Sequence, residues 1–312
     1  EITSEANPGT VDAEKFLAMR RAGFNRISMG AQSFLDSDLL ALGRIHRSGE
    51  IERAYEAARK AGFENVNLDL MFALPQQSMH GWRRNLDRAL ALDPEHLSLY
   101  CLTIEPNTAF YKQHLRGQLV LPDDDQQVAM YEECLDRTAA AGYEQYEISN
   151  FAKPGRECRH NLCYWHGDEY VGYGPGAVGA ISPDPSTMAV WRVSPEPRGV
   201  TDTPLDTLHT ASVEGSGARV RYTNLKHPER YCAAVEAGEA LAFESETLTD
   251  DLLRMESIML GLRLTDGMPR PALDKRSLQK VIDRGWVAAT DQRIWLTREG
   301  RHFCSEVVLA LV

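Results

Sequence analysis

The chain has 312 residues, of which 43% are hydrophobic and 25% charged, and its formal net charge is −11 at pH 7. This composition is ordinary for a globular protein, and the length suits one large domain or two smaller ones. The acidic balance, with Lys and Arg scattered along the chain, argues against nucleic-acid binding, which needs a basic face. No apolar run approaches the roughly 18 residues that indicate a membrane span.

Strands and helices alternate in the first third of the sequence. Predicted strands cover residues 2–6, 26–34, 65–72 and 96–102, with helical segments between them. The first strand ends at the turn Asn7-Pro8-Gly9, and Thr10 or Asp12 can cap the helix that follows. This alternation predicts an α/β fold with a parallel sheet. Strands rich in apolar residues predict burial on both faces of that sheet.

The middle of the chain is less regular. An acidic triplet, Asp123 to Asp125, precedes a helix that runs to Ala141. A metal site is one interpretation, but the preference of helix N-termini for negative charge is the favoured one. We further predict a strand over 143–151, loops or short hairpins over 181–217, and helical structure over 222–238.

The last part of the chain, 248–312, has the pattern of a small separate domain. Helices are predicted over 248–262 and 277–284, strands over 286–288 and 293–296, and a final helix capped by Thr297. This order predicts a winged-helix-like α+β domain. Such domains often bind DNA, but no basic recognition face is present, so a packing role is favoured. The predicted domains are 1–180, a connecting region 181–247, and 248–312.

The six cysteines are sparse and irregularly spaced. This pattern indicates reduced thiols of the cytoplasm and not a disulfide framework. Cys101 lies in a predicted strand and Cys134 in a predicted helix, and we interpret both as small buried hydrophobic residues.

Polar side chains stand near the carboxyl ends of three successive predicted strands, where α/β folds collect functional groups. They are Glu5, Gln32 and Asp69, and Arg44 lies on the connection that leaves the second strand. A carboxylate can hold ribose hydroxyls or an ammonium group, and an Arg fork matches a carboxylate. The pattern predicts a site for a small polar ligand, although each residue could simply end its strand in solvent.

Several segments resemble the HemW branch of the radical S-adenosylmethionine (SAM) proteins, which is close to oxygen-independent coproporphyrinogen III oxidase (HemN). The segments are Glu5-Ala6-Asn7-Pro8-Gly9-Thr10, Arg26-Ile27-Ser28-Met29-Gly30-Ala31-Gln32-Ser33-Phe34, Leu42-Gly43-Arg44-Ile45-His46, Asn67-Leu68-Asp69-Leu70-Met71, Leu74-Pro75, Ile104-Glu105-Pro106-Asn107-Thr108, Cys158-Arg159-His160-Asn161-Leu162-Cys163-Tyr164-Trp165 and Gly172-Tyr173-Gly174-Pro175-Gly176-Ala177. The resemblance covers most of residues 1–180 closely and the rest more loosely.

This resemblance implies that SAM is held by Glu5, Gln32, Arg44 and Asp69. It implies a partial barrel of βα units followed by a small C-terminal domain, and a reaction that begins when a [4Fe-4S] cluster reduces SAM. The family ligates that cluster with a C-x-x-x-C-x-x-C segment, and no such spacing exists in this sequence. We therefore expect the first two βα units to lie upstream of Glu1, and no radical chemistry from the chain as given. The first strand would then expose an edge that favours a homodimer.

A second group of polar and aromatic residues follows the predicted strand 143–151. By resemblance, His160, Asn161, Tyr164, Trp165 and His166 lie on the tetrapyrrole side, and His160 or His166 is a hypothetical axial haem ligand. Cysteines at 158 and 163 complete a C-x-H-x-x-C-x-x-H pattern, but zinc is disfavoured because its ligands usually come from separate elements. His46 lies near the predicted rim, where a plain hydrogen-bonding role is as well supported as a functional one.

The resemblance implies a cytoplasmic haem chaperone that binds haem and SAM and delivers haem to respiratory proteins, with membrane contact only through those partners. The alternative is an oxygen-independent coproporphyrinogen III oxidase of porphyrin biosynthesis. A winged-helix regulator is a third possibility, which the acidic charge disfavours.

Overall fold

A computed structural model describes residues 1–182, 219–239 and 241–312. In the first hundred residues, strands and helices alternate as the sequence predicts. The elements are β1 (Thr3–Ala6), α1 (Ala13–Arg21), β2 (Arg26–Gln32), α2 (Asp36–Ala41), α3 (Ser48–Lys60), β3 (Val66–Phe72), α4 (Met79–Ala91) and β4 (His96–Cys101). Asp12 caps α1, with its side chain accepting a hydrogen bond from the Lys15 backbone N–H, which satisfies a donor that the helix itself cannot use.

The following elements complete a six-stranded sheet. They are α5 (Ala109–Leu115), α6 (Asp124–Ala140), β5 (Glu144–Glu147), β6 (Asn150–Ala152) and α7 (Arg159–Trp165). The strand order is β1-β2-β3-β4-β6-β5. The first four strands are parallel, whereas β6 pairs antiparallel with β4 and β5 with β6. Asp123 forms a capping box at the start of α6, as the helix-cap interpretation of the acidic triplet expects.

The single strand predicted over 143–151 is wrong, because the chain reverses there and forms a hairpin. The Glu147 carboxylate accepts hydrogen bonds from the Ser149 backbone N–H at 2.8 Å and from Asn150 Nδ2 at 2.5 Å. Glu147 is fully buried and is paired with Arg263 at 2.9 Å. A buried carboxylate needs such partners, so this turn is fixed by polar contacts that hydropathy patterns do not reveal.

The two faces of the parallel sheet differ in chemistry. One face packs apolar side chains, among them Met29, Leu68 and Leu97, into a core with Phe16 of α1 and Trp82 of α4. Residues of the opposite parity on the same strands are polar and line a cavity. The second face is buried as predicted, with Arg26, Asn67 and Ser98 all less than 4% exposed. Its side chains are polar where the first face is apolar, and this difference positions the site.

The two cysteines predicted as buried also differ. Cys134 is buried in α6, whereas Cys101 is exposed. Cys101 is the last residue of β4, at the point where the strand leaves the core. The prediction is thus confirmed for Cys134 and wrong for Cys101.

The described residues form two compact units, and each unit is built from more than one segment of the chain. The first comprises 1–162, 262–270 and 279–307, and the second 163–261, 271–278 and 308–312, without the residues that the structure leaves undescribed. The predicted division into 1–180, 181–247 and 248–312 stays a prediction. No described helix is long and apolar enough to cross a membrane.

The second unit contains an antiparallel sheet in the order β7-β8-β9. Its elements are β7 (Val178–Ile181), β8 (Val220–Asn224), α8 (Pro228–Ala237), β9 (Ala242–Thr247) and α9 (Asp250–Gly261). The helical prediction that began at Tyr222 is wrong in its first residues, because alternating β-forming residues extend as a strand. Pro228 then starts the helix in the position that tolerates a missing N–H. The loops predicted over 181–217 fall almost entirely outside the described residues.

The C-terminal elements follow the predicted order of helix, hairpin and helix. They are β10 (Met268–Pro269), α10 (Lys275–Asp283), β11 (Val287–Ala289), β12 (Arg293–Leu296) and α11 (Cys304–Leu311). The strands form a sheet in the order β10-β12-β11. Thr297 does not cap the final helix, because a short 3-10 helix (Glu299–Phe303) with Arg298 at its N-cap position precedes α11. The Thr297 hydroxyl instead accepts a hydrogen bond from the Gly300 backbone N–H at 3.0 Å.

Candidate functional site

A cavity of about 450 Å³ lies against the polar face of the sheet in the first compact unit. All four residues predicted to bind one ligand line this cavity, namely Glu5, Gln32, Arg44 and Asp69. The remaining lining residues are Thr3, Ala6, Asn7, Arg26, Ser28, Gly30, Asn67, Ser98, Tyr100, Cys158, His160 and Asn161. The structure thus brings together four predicted side chains, of which Glu5 and Asp69 are 64 positions apart in the sequence.

Strand register explains why these side chains meet. Glu5 of β1 pairs with Ser28 of β2, and Ser28 pairs with Asn67 of β3. Asp69, two residues further along β3, pairs with Ser98 of β4. Because alternate residues of a strand share one face, these five side chains form two polar rows across the sheet.

Gln32 reaches the cavity through an irregularity at the end of β2. The register between β2 and β3 shifts between Met29 and Gln32, and Gln32 has a φ of 64°. Such a left-handed conformation is uncommon for a residue with a side chain. Gly30 leaves room for this amide, since a Cβ at position 30 would lie 2.9 Å from Gln32 Nε2.

Arg44 belongs to the connection between α2 and α3 and closes the rim. Its Nη1 donates a hydrogen bond of 3.3 Å to Asn7 Oδ1, in the turn that follows β1. Arg44 is exposed, and its guanidinium can therefore reorient toward a ligand carboxylate.

Asp69 is held in position by neighbouring polar side chains. Asn67 Nδ2 donates to Asp69 Oδ1 at 2.8 Å, and Ser28 Oγ donates to Asp69 Oδ2 at 3.2 Å. Burial raises the pKa of Asp69, and the hydrogen bonds from Asn67, Ser98 and Ser28 oppose this effect. The side chain is a pre-oriented acceptor for hydroxyl or ammonium donors.

Asn67 also connects the cavity to a buried histidine. His96 Nδ1 lies 2.7 Å from Asn67 Oδ1, and His96 Nε2 lies 2.8 Å from the Tyr146 hydroxyl. Burial lowers the pKa of His96 well below its ordinary value, so the ring is neutral. Because Nδ1 faces a carbonyl oxygen, it carries the proton, and Nε2 accepts from Tyr146.

Arg26 occupies the other end of the cavity. It is only 3% exposed, and its Nε lies 4.0 Å from Glu1 Oε2. Glu1 in turn accepts from the backbone N–H groups of Arg159 and His160 at 3.2 and 3.3 Å. Burial raises the pKa of Glu1, but these hydrogen bonds and the nearby Arg26 charge outweigh it and hold the pKa below its ordinary value.

The predicted tetrapyrrole-side residues are divided between the two compact units. His160 and Asn161 line the cavity. Tyr164, Trp165 and His166 belong to the second unit, where the Tyr164 ring packs edge-on against Tyr170 with centroids 4.7 Å apart.

His46 does not line the cavity. It is 2% exposed, and its Nε2 lies 3.3 Å from the Ala31 carbonyl oxygen. A ring nitrogen that faces a carbonyl donates to it, so His46 ties the α2–α3 connection to β2. This contact supports the plain hydrogen-bonding interpretation.

Sequence reasoning missed Arg26, Asn67 and His96. A usable signal was present, because polar residues alternate with apolar ones in β2, β3 and β4. Such alternation indicates a strand with one polar face.

Comparisons with known proteins identify the family of this chain. The radical SAM superfamily model matches residues 1–89. The heme chaperone HemW of Bacillus subtilis (strain 168) is 33% identical over 318 residues, covering 98% of this chain and 74% of that protein. The heme chaperone HemW of Haemophilus influenzae is 43% identical over 318 residues, covering 99% of this chain and 73% of that protein. The chain belongs to the HemW family of radical SAM proteins.

The HemW family shares its fold with a solved radical SAM enzyme. Coproporphyrinogen III oxidase (HemN) from Escherichia coli superimposes with a TM-score of 0.73 and 20% sequence identity, covering 99% of this chain and 69% of that chain. This likeness shows the radical SAM α/β fold and carries no activity by itself. The chain spans about three quarters of the length of the B. subtilis and H. influenzae relatives.

Membership in the HemW family implies SAM and a [4Fe-4S] cluster as cofactors. The residues of this chain are suited to bind SAM but not the cluster. The cavity supplies carboxylate, amide and guanidinium groups suited to SAM. The cluster needs thiolates, but the sequence has no C-x-x-x-C-x-x-C spacing. Within the described ranges, no group of three or more His, Cys, Asp or Glu side chains could hold a metal. The residues present therefore do not fit the cluster.

Proposed function

We propose that this chain acts as a HemW-type haem chaperone that binds SAM and haem and delivers haem to respiratory proteins. The observation that carries the proposal is the convergence of Glu5, Gln32, Arg44 and Asp69 on one cavity. The curated relatives named heme chaperone HemW support the haem function.

Each of the four residues has a chemical role in SAM binding. Arg44 takes the methionyl carboxylate with its fork, and Glu5 takes the ammonium group. Asp69 accepts from the ribose hydroxyls, and the Gln32 amide hydrogen-bonds a polar edge of the ligand. SAM bound beside a reduced cluster supplies a carbon radical in this superfamily. The part of this chain is to bind and orient the nucleoside.

Haem is assigned to the side of the cavity lined by His160 and Asn161. His160 is exposed and is one of two candidate axial ligands, with His166 as the other. Tyr164 and Trp165, in the second compact unit, stay candidate aromatic contacts for a tetrapyrrole.

Further features extend the proposal. The parallel strands support a partial barrel, and the helix–hairpin–helix order supports a winged-helix-like C-terminal domain without DNA binding. Six free cysteines support a cytoplasmic location. A homodimer is also proposed. Membrane contact is proposed only through respiratory partners.

The test measures ligand binding directly. S-adenosylhomocysteine (SAH) is titrated into the wild-type chain, the Asp69→Asn variant and the exposed control Asp291→Asn by calorimetry. We expect Asp69→Asn to weaken SAH binding about tenfold and Asp291→Asn to leave it unchanged. Haemin is titrated in parallel by absorption, with His160→Ala and His166→Ala identifying the ligand. Equal SAH affinity in all three proteins contradicts the SAM site.

The competing function is oxygen-independent coproporphyrinogen III oxidation, for which the HemN fold likeness is the one supporting observation. Anaerobic conversion of coproporphyrinogen III to protoporphyrinogen IX by a cluster-bearing form of the protein would favour it. Specific binding to duplex DNA would favour a winged-helix regulator over both.

A further inference from the structure

We propose that Arg26 is a second carboxylate-binding residue of the cavity and anchors a propionate group of the tetrapyrrole. This inference rests on the proposed haem function and names the group by which haem is held. It adds a residue that the sequence resemblance did not indicate.

The first observation is a buried cation with incomplete hydrogen bonding. Arg26 is 3% exposed and lines the cavity. Its Nε has no hydrogen-bond partner among the described residues, and the same is true of the Oγ1 of Thr3. Thr3 is the register partner of Arg26 across β1 and β2 and lines the same cavity. Buried polar groups are normally satisfied, so two orphaned groups side by side indicate an acceptor-bearing ligand.

The second observation concerns the nearest carboxylate. Glu1 Oε2 lies 4.0 Å from Arg26 Nε, beyond hydrogen-bond distance. Both Glu1 carboxylate oxygens already accept hydrogen bonds. The backbone N of Arg159 lies 3.2 Å from Oε2, and the backbone N of His160 lies 3.3 Å from Oε1. The Arg26 charge is therefore only loosely compensated, and a fork of this kind prefers a bidentate carboxylate.

The third observation is the position of Arg26 relative to the SAM residues. Arg26 is the first residue of β2 and Gln32 the last, so their Cα atoms are separated by roughly 20 Å at 3.3 Å per residue. Arg26 therefore lies at the opposite end of β2 from Gln32 and the connection that carries Arg44, although all three line the same cavity. Glu1 links Arg26 instead to His160, which lies on the proposed tetrapyrrole side. Haem carries two propionates, and one of them suits this end of the cavity.

The experiment compares ligands with and without the carboxylate. Haemin and haemin dimethyl ester are titrated into the wild-type chain, Arg26→Gln, Arg26→Lys and the exposed control Arg21→Gln. We expect Arg26→Gln to weaken haemin binding about tenfold, Arg26→Lys to recover part of the loss, and Arg21→Gln to change nothing. We expect the diester to bind the wild-type chain about tenfold more weakly than haemin does. Its affinity should not fall further in Arg26→Gln.

Other outcomes separate this inference from the proposed function. Equal haemin affinity in wild type and Arg26→Gln, or equal losses for haemin and its diester, overturns the role of Arg26 alone. If Arg26→Gln weakens binding of SAH but not of 5′-methylthioadenosine or haemin, Arg26 binds the carboxylate of SAM. That result overturns the tetrapyrrole assignment. Failure of the wild-type chain to bind haemin at all is a failure of the proposed function. If Arg26→Gln does not fold, the wild-type comparison of haemin with its diester decides.

Discussion

Asn67 and Asp69 lie two positions apart on β3 and are joined by a hydrogen bond of 2.8 Å from the amide Nδ2 to the carboxylate Oδ1. The same amide accepts from His96 at 2.7 Å and from Ser98 at 3.2 Å. One side chain therefore orients the candidate ligand-binding carboxylate and satisfies the buried groups behind it.

Replacing this amide should alter ligand binding in a pH-dependent manner. Asn67→Ala removes a hydrogen bond that lowers the pKa of Asp69, so the pKa of Asp69 rises further above its ordinary value. We expect SAH affinity to fall about tenfold and to decline more steeply than in wild type as the pH is lowered toward 5. Calorimetric titrations at several pH values check this. A uniform loss at every pH would indicate a purely structural role.

Asp69 should cost stability at neutral pH because its carboxylate is buried. Its folded pKa lies above the ordinary value of 3.8, so the destabilisation is absent below about pH 3.8 and grows as pH rises through the folded pKa. Asp69→Asn should therefore raise the melting temperature by about 2–4 °C at pH 8. The gain should shrink toward pH 4, as thermal scans across pH can show. A gain that is independent of pH would contradict the electrostatic explanation.

His96 should make the protein less stable in mild acid. Its folded pKa lies well below 6.5, so the unfolded chain binds the additional proton as pH falls below 6.5. The free energy of unfolding then decreases by up to about 1.4 kcal/mol per pH unit from this group. Urea denaturation between pH 5 and pH 7 should show a shallower dependence for His96→Gln. His114→Gln, at an exposed position, serves as the control and should retain the wild-type slope.

Gly30 should be required for the placement of Gln32. A Cβ at position 30 would lie 2.9 Å from Gln32 Nε2, so Gly30→Ala forces the amide to shift from its position in the cavity. We expect SAH binding to weaken several-fold, by about 1 kcal/mol, with little change in melting temperature because the amide is the flexible end of its side chain. Gly49→Ala is the matched control, since a Cβ there meets no atom within 4 Å. Unchanged SAH affinity in Gly30→Ala would remove Gln32 from the site.

Much of the first four βα units could be predicted from the sequence because their helices and strands have clear hydrophobic periods. Two of the helices also begin at side-chain caps, Asp12 for α1 and Ser78 for α4. Glu5, Gln32 and Asp69 could be selected because parallel strands end at one edge of a sheet. The β5–β6 hairpin could not, because the Glu147 carboxylate that fixes it makes long-range contacts, including one to Arg263.

Arg26 and His96 were missed for a different physical reason. Each lies at the first position of its strand, where a polar residue is commonly a solvated strand end. Their burial depends on what packs against their face of the sheet. The alternation along a strand tells which residues share a face, but not what that face contacts.

The polar rows beneath the cavity have a consequence for the energetics of the whole sheet. The strands that carry these groups on one face carry the apolar core on the other, so occupancy and folding are thermodynamically linked. A saturating ligand should slow amide hydrogen exchange along β2, β3 and β4 together, while helices remote from these strands keep their unliganded rates.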